Sequence, residues 1–198
     1  LVLDRYADTL VLKLYTPAWI LHLKQFCDAL AQVSPASYLI LRLSRTLQKQ
    51  TDLLHGLTDG MTLSRLPAPS LILFTENGLT FESDPIHGQK TGFFLDQRDN
   101  RARVEKLSKD KSVLNVFAYT GGFSVYAARG GARQVVSVDI SAPALEAALR
   151  NMAHNRLSTS HETIAEDAFE VLARMESQKR LFDLVILDPP MFAQSEKQ

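Results

Sequence analysis

"VLNVFAYTGGFSVYAARGGARQVVSVDIS", residues 113–141, carries the pattern that decides the fold. An apolar run, Val113–Phe117, meets Tyr119-Thr120-Gly121-Gly122, and a helical stretch, Phe123–Arg129, begins at once. A second apolar run, Val135–Val138, ends on Asp139. Strand, glycine turn, helix, strand and acid make a βαβ unit with a turn suited to a ligand. Glycines let a ligand approach the backbone closely, and a helix N-terminus offers N–H groups with no partner inside the helix. Asp139 stands 18 positions after Gly121, near the roughly 20-residue offset at which a carboxylate grips ribose hydroxyls. An acid there selects a ligand with a free ribose diol.

Two ligands need such an acid. A dinucleotide site takes G-x-G-x-x-G with a pyrophosphate over the turn. Here Tyr119 replaces the first glycine, and Phe123-Ser124-Val125 occupies the region of the third. A nicotinamide dinucleotide therefore fits poorly. An S-adenosylmethionine site needs the ribose acid without the pyrophosphate cradle and tolerates this turn. An ordinary βαβ turn with an incidental aspartate is the plain alternative.

Downstream, the alternation continues through helix Pro143–Asn155, strand Glu162–Ile164, helix Asp167–Met175 and strand Leu181–Leu187. It implies a parallel sheet with helices on both faces. Loops beyond the carboxyl ends of such strands share one crevice, so Asp139, Asp167 and Asp188 reach it from neighbouring strands. Asp167 is placed to accept from an adenine amino group; its plain role is an acid at a helix N-terminus, favoured by the dipole. Asp188 runs into Pro189-Pro190, which lack N–H groups and hold the chain extended. Phe192 follows, and an aromatic ring there can stack on a base. The plain reading is a strand stop followed by a buried Phe.

Residues 1–95 read differently. "LVLDRYADTLVLKLYT" is two β-rich runs joined across Asp4–Asp8. Thr16 offers an N-cap and Pro17 a first helical position. Trp19, Leu23, Phe26, Leu30 and Val33 form one apolar helical face that ends at Ser34-Pro35. "SYLILRLS" reads as a strand, and "SLILFTENGLTFESD" as a hairpin turning at Asn77-Gly78. The expectation is a small α+β domain over 1–86 and a Rossmann-like domain over 87–198.

The 45% hydrophobic and 22% charged composition is that of a globular protein with a real core. Zero net charge neither supports nor excludes a nucleic-acid partner. Between Lys90 and Lys111, seven basic residues face four acids; that excess either tracks RNA phosphates or belongs to a solvated helix spanning Arg98–Lys111. One cysteine, Cys27, excludes an internal disulfide and fits a reducing, cytoplasmic setting. No metal site is expected, and no apolar run approaches the roughly 20 residues that span a bilayer. The start within a strand, without Met, reads as a piece of a longer protein.

The glycine turn, "VVSVDIS", "DPPMF" and, upstream, "GQKTGFFLDQRDNR" together resemble class I S-adenosylmethionine-dependent methyltransferases of the ribosomal RNA large subunit methyltransferase I/K type. The likeness is close over 76–198 and one of layout over 1–75. It implies an α/β fold: a Rossmann-like class I core, with four of its seven strands here, preceded by a small α+β domain. It implies an enzyme that modifies a base of ribosomal RNA, at cytosine carbon 5 or a guanine ring nitrogen, with S-adenosyl-L-methionine as cofactor. By position, Phe117, Tyr119, Thr120, Gly121 and Gly122 would line the methionine and ribose side. Asp139 with Ile140 would hold the ribose, and Asp167 with Ala168 the adenine end. Asp188, Pro189 and Phe192 would form the catalytic, base-facing group, and Lys90, Thr91, Gln97 and Arg98 would border the entrance.

The resemblance has departures. Met191 stands where aminomethylating relatives carry an aromatic. A carbon-5 target needs a thiolate, and Cys27 lies in the first amphipathic helix, so such a residue is expected beyond Gln198. With the fourth strand central in the seven-stranded fold, ending here would bare an apolar edge; a missing segment or a partner, a homodimer among the options, would cover it. The piece is expected to bind cofactor without transferring methyl groups. The expected partner is large-subunit ribosomal RNA, with no membrane. The remaining alternatives are a non-catalytic cofactor- or RNA-binding module and a nicotinamide oxidoreductase.

Overall fold

The computed structural model describes residues 1–190. The chain divides into two compact units, Leu1–Leu95 and Asp96–Gln198.

In the first unit, β1 (Val2–Tyr6) pairs antiparallel with β2 (Thr9–Leu14). The ladder runs to Tyr6–Thr9, so the turn is Ala7-Asp8 alone and Asp4 and Arg5 belong to the strand. A 3-10 turn, Pro17–His22, leads into α1 (Leu23–Val33), which carries the chain to β3 (Tyr38–Leu43), parallel to β2. Thr16 does hold the N-cap position, but its hydroxyl makes no capping bond. Leu23 and Leu30 are buried, and Leu23 packs with Leu12, Leu41, Leu43 and their neighbours. Trp19 falls in the 3-10 turn, whose three-residue repeat rotates it off the α1 face; it is partly exposed and meets Phe26 edge-on at 6.0 Å. Val33, the last residue of α1, is 81% exposed, so the buried face stops at Leu30. A short helix, α2 (Arg45–Gln48), is capped by the Ser44 hydroxyl. The hairpin β4 (Ile72–Glu76) and β5 (Leu79–Ser83) turns through Asn77 (φ +50°) and Gly78 (φ +79°), the left-handed pair a type I′ turn requires. Its rings Phe74 and Phe81 cluster with Phe93, and Tyr6 packs edge-on against Phe74.

The second unit holds α3 (Arg98–Leu107), β6 (Ser112–Val116), α4 (Gly122–Arg129), β7 (Gln134–Val138), α5 (Ala142–His154), β8 (Ser160–Ile164), α6 (Ala168–Ser177) and β9 (Leu184–Leu187). The strands lie in the order β8-β7-β6-β9, all parallel. Right-handed crossovers dictate the layers. The chain steps from β6 to β7 to β8 in one direction and then returns past β6 to β9, which sends α6 to the opposite face from α4 and α5. The alternation of the strands agrees. Leu114, Val116, Val136 and Val138 pack on Ala168, Val171 and Met175 of α6. Asn115 and Ser137 face the other way and bond Ser124 of α4. The last strand is shorter than the apolar run Leu181–Leu187. Leu181 is 86% exposed, and Phe182 joins the α6 cluster with the Arg180 guanidinium 5.2 Å above its ring. On β9, Val185 and Leu187 are exposed.

Candidate functional site

Because β6 lies between β7 and β9, the reversal of strand order falls at β6, where a doubly wound sheet opens a crevice at its carboxyl ends. The register makes those ends flush: Val116 pairs with Val138 and Leu187, and Val138 with Ile164. Phe117, Asp139 and Asp188 are therefore the first residues beyond three adjacent strands.

The turn after β6 winds through the left-handed region three times, at Phe117 (φ +61°), Tyr119 (φ +48°) and Gly121 (φ +73°). Two of these are not glycine, and each such residue costs on the order of 1–3 kcal/mol that surrounding contacts must offset. Ala118 N donates to Val138 O at 3.0 Å, and Gly121 N to Ala118 O at 2.9 Å. Asp139 ties the turn to the neighbouring strand: its Oδ2 accepts from Tyr119 N (2.8 Å) and its Oδ1 from Ser141 N (2.9 Å). Each oxygen keeps a second lone pair. Ile140, directly after it, is 75% exposed. Thr120 is 8% exposed, and its hydroxyl has no hydrogen-bond partner among the described residues. A buried hydroxyl left so is costly, and a polar ligand at this turn would satisfy it.

Asp167 is the N-cap of α6, where its Oδ1 accepts from Phe169 N (2.9 Å) and Glu170 N (3.2 Å). The helix-terminal role is thus realised, by one of the two carboxylate oxygens. Ala168 is buried in the α6 cluster, so its methyl is committed to the core. Phe169, which sequence reasoning passed over, is 63% exposed beside it. Its signal was an aromatic two residues after the strand-end acid, where a core position was not needed. Asp188 and Pro189 are exposed past β9, and Phe192 lies outside the described residues.

The four entrance residues divide between the units. Thr91 is buried in the first, where its hydroxyl donates to Asp4 Oδ2 (2.6 Å) and bonds Tyr6 Oη (2.9 Å). Lys90 is exposed, with φ +52° and its Nζ 4.2 Å from the Phe94 ring centre. In the second unit, Arg98 opens α3, and the preceding Gln97 accepts from Asn100 Nδ2 at 2.6 Å. Cys27 is half-buried in the first unit, packed against its leucine cluster; burial, then the charge of Asp28, pushes the thiol above its ordinary range. Among the described residues no cluster of His, Cys, Asp or Glu is arranged to hold a metal ion, and no helix is long and apolar enough to cross a membrane.

A parallel switch-point sheet, a wound glycine turn and a strand-end acid gripping that turn define a nucleoside-binding α/β domain. The chain belongs to the S-adenosylmethionine-dependent methyltransferases, whose family pattern it matches over residues 38–197. It is 50% identical over 200 residues to the ribosomal RNA large subunit methyltransferase of Deinococcus radiodurans, covering 100% of this chain and 48% of that protein. With the ribosomal RNA large subunit methyltransferase I of Pseudoalteromonas translucida it shares 39% over 197 residues, 99% of this chain and 49% of that one. Its fold matches the crystal structure of SMU.776, a provisionally assigned methyltransferase complexed with SAH, with a TM-score of 0.83 at 27% identity, over 98% of this chain and 49% of that one. The chain spans about half the length of the curated relatives it matches. Family membership makes S-adenosylmethionine the cofactor.

Proposed function

We propose that these residues hold S-adenosylmethionine and present a base of large-subunit ribosomal RNA for methylation. The observation that carries this is the coupling of Asp139 to a left-handed turn holding a buried, unpartnered Thr120 hydroxyl. The cofactor supplies an electrophilic methyl group on a sulfonium. Everything else falls to the chain. Backbone and hydroxyl of Phe117–Gly122 receive the amino-acid tail and ribose, and the remaining Asp139 lone pairs accept from the ribose diol. Asp167 Oδ2, outside the two capping bonds, accepts from the adenine amino group, with exposed Ile140 and Phe169 flanking the ring. Asp188 and the extended Pro189-Pro190 present an acceptor and carbonyls to the incoming base, with Phe192 stacking on it.

The ribosomal substrate rests on the names of the relatives. In the second unit the exposed Arg98, Arg103, Lys106 and Lys109 are the phosphate-tracking residues, with Gln97 beside Arg98, and buried Arg101 is not among them. In the first unit Lys90 is a substrate-side candidate, and Thr91, whose hydroxyl is engaged by Asp4 and Tyr6, is left out. The first unit, Leu1–Leu95, is the substrate-side lobe and the second, Asp96–Gln198, the catalytic domain, so the division falls nine residues later than the sequence alone suggests. The target atom is cytosine carbon 5 or a guanine ring nitrogen. A carbon-5 route needs a thiolate; Cys27 is instead packed against the leucine cluster of the first unit, where burial raises its thiol pKa.

Titration calorimetry with S-adenosylhomocysteine, adenosine and NAD tests the site. Wild type binds S-adenosylhomocysteine and not NAD, and Asp139→Ala weakens that binding by at least ~10–100-fold, the loss of one bond to a charged acceptor, and by more if both ribose hydroxyls are held. Equal affinity in wild type and variant sinks the ribose role. Labelled S-adenosylmethionine and unmodified large-subunit RNA, given to a full-length protein that contains these residues and followed by mass spectrometry of the nucleosides, identify the base; absence of label there sinks the substrate assignment, whereas residues 1–198 alone are expected to transfer none.

A further inference from the structure

The wound turn needs an outside support, and α5 supplies it. Asn151 is fully buried in the last turn of that helix, where an amide side chain is ill suited unless bonded. Its Nδ2 donates to Thr120 O at 2.9 Å. Thr120 precedes the Gly121 cap of α4, so its carbonyl lies outside the helix ladder and is buried. Ala148, three residues before Asn151 and hence on the same helix face, closes the other side: a Cβ on Gly121 would lie 2.5 Å from Ala148 Cβ and 3.1 Å from Ala148 Cα. One face of α5 therefore fixes both the carbonyl of Thr120 and the backbone of Gly121. The hydroxyl of the same residue, Thr120 Oγ1, is buried without a hydrogen-bond partner among the described residues.

We propose that Asn151 is a positioning residue for cofactor binding: with Ala148 it holds the Thr120-Gly121 peptide so that the Thr120 hydroxyl is presented to the amino-acid tail of the cofactor. This rests on the reading that the turn receives S-adenosylmethionine. Asn151 touches the turn and not the ligand. It acts through the peptide plane, which without the Asn151 donor is held only by the bond from Gly121 N to Ala118 O at 2.9 Å.

The test compares two ligands in the full chain, well below its unfolding temperature. In Asn151→Leu, which keeps the side-chain volume and removes the donor, S-adenosylhomocysteine binds about tenfold or more weakly, the loss of roughly one hydrogen bond. Adenosine, which lacks the amino-acid tail, stays within about threefold. Ala148→Val crowds Gly121 without removing any hydrogen bond and gives the same split, so the proposal is tested even if Asn151→Leu does not fold. A lowered melting temperature with S-adenosylhomocysteine affinity unchanged, or an equal loss for both ligands, overturns it, since either shows a merely structural bond. Failure of the wild type to bind S-adenosylhomocysteine overturns the cofactor reading itself and is seen before any variant is made.

Discussion

At its amino end the parallel sheet is closed by paired groups. Asp183 Oδ2 accepts from Ser112 N at 2.8 Å and from Arg133 Nη2 at 3.0 Å, and Arg133 N donates to Lys111 O at 2.8 Å. Nearby, the Arg129 guanidinium grips both oxygens of Glu105. Left-handed residues occur at both ends, Asp110, Gly131, Arg156 and Lys179 before the strands and Phe117, Tyr119 and Gly121 after β6. The carboxyl end differs in its polar groups, a buried hydroxyl with no partner among the described residues and acids that bond backbone N–H groups with lone pairs to spare. One end satisfies its polar groups within the protein. The other keeps a buried hydroxyl and unused acceptors that a ligand can engage. The contrast teaches where to look for function: at the end whose accounts do not close by themselves.

The sharpest way to break this contrast is Gly121→Val. A non-glycine residue at φ +73° costs about 1–2 kcal/mol, and the collision with Ala148 adds roughly 1–3 kcal/mol of overpacking. The melting temperature falls by roughly 5–15 °C, and S-adenosylhomocysteine binding is lost in calorimetry. A variant that binds normally would show that the turn needs no left-handed glycine.

The next test lies between the two ends, on the face toward α4. Asn115 Nδ2 donates to Ser124 Oγ (2.9 Å), which bonds Ser137 Oγ (2.7 Å), which bonds His161 Nε2 (2.7 Å). His161 Nδ1 is buried without a hydrogen-bond partner among the described residues, and burial lowers the His161 pKa from 6.5 to about 4. A histidine whose folded pKa is depressed is neutral when folded and takes up a proton on unfolding. Its contribution is therefore undiminished above pH 6.5 and declines as pH falls from 6.5 toward 4, by on the order of 2–3 kcal/mol, then levels off. Urea unfolding at pH 7 and pH 4.5 measures the loss, and His161→Gln removes this component of it. Identical pH dependence in wild type and variant would exclude His161 as its source.

Much of this frame was legible in the sequence. Alternating apolar runs gave the four parallel strands, and Asn77-Gly78 gave its turn, because both signals are local and backbone-driven. Asp139 was readable because its spacing from Gly121 is set by the length of one helix and one strand. What depends on tertiary packing was less so. Nothing in the spacing shows that Trp19 sits in a 3-10 turn, that Val33 faces water, or that Thr91 is held by Asp4 and Tyr6, 87 and 85 residues away. Asn151 reads as an ordinary polar residue until the fold places it beneath Thr120.

The smallest effect is expected at the closed end, in Asp183→Ala. The Ser112 N–H, then the Arg133 guanidinium, hold the Asp183 carboxyl below its ordinary range. A carboxylate with a depressed folded pKa stabilises fully above its unfolded pKa, and that contribution fades as pH falls through the lower folded value. The group is solvent-exposed and screened, so the variant melts only slightly lower at pH 7, and the difference shrinks in acid. Its decisive readout is affinity. Asp183 and Asp139 are both aspartates that accept a bond from a strand-flanking backbone N–H, yet only the second stands at the carboxyl end. Asp183→Ala therefore binds S-adenosylhomocysteine as the wild type does, whereas Asp139→Ala does not. Comparable losses in the two variants would mean that the sheet transmits disorder from one end to the other, and that the division of labour drawn from its geometry is wrong.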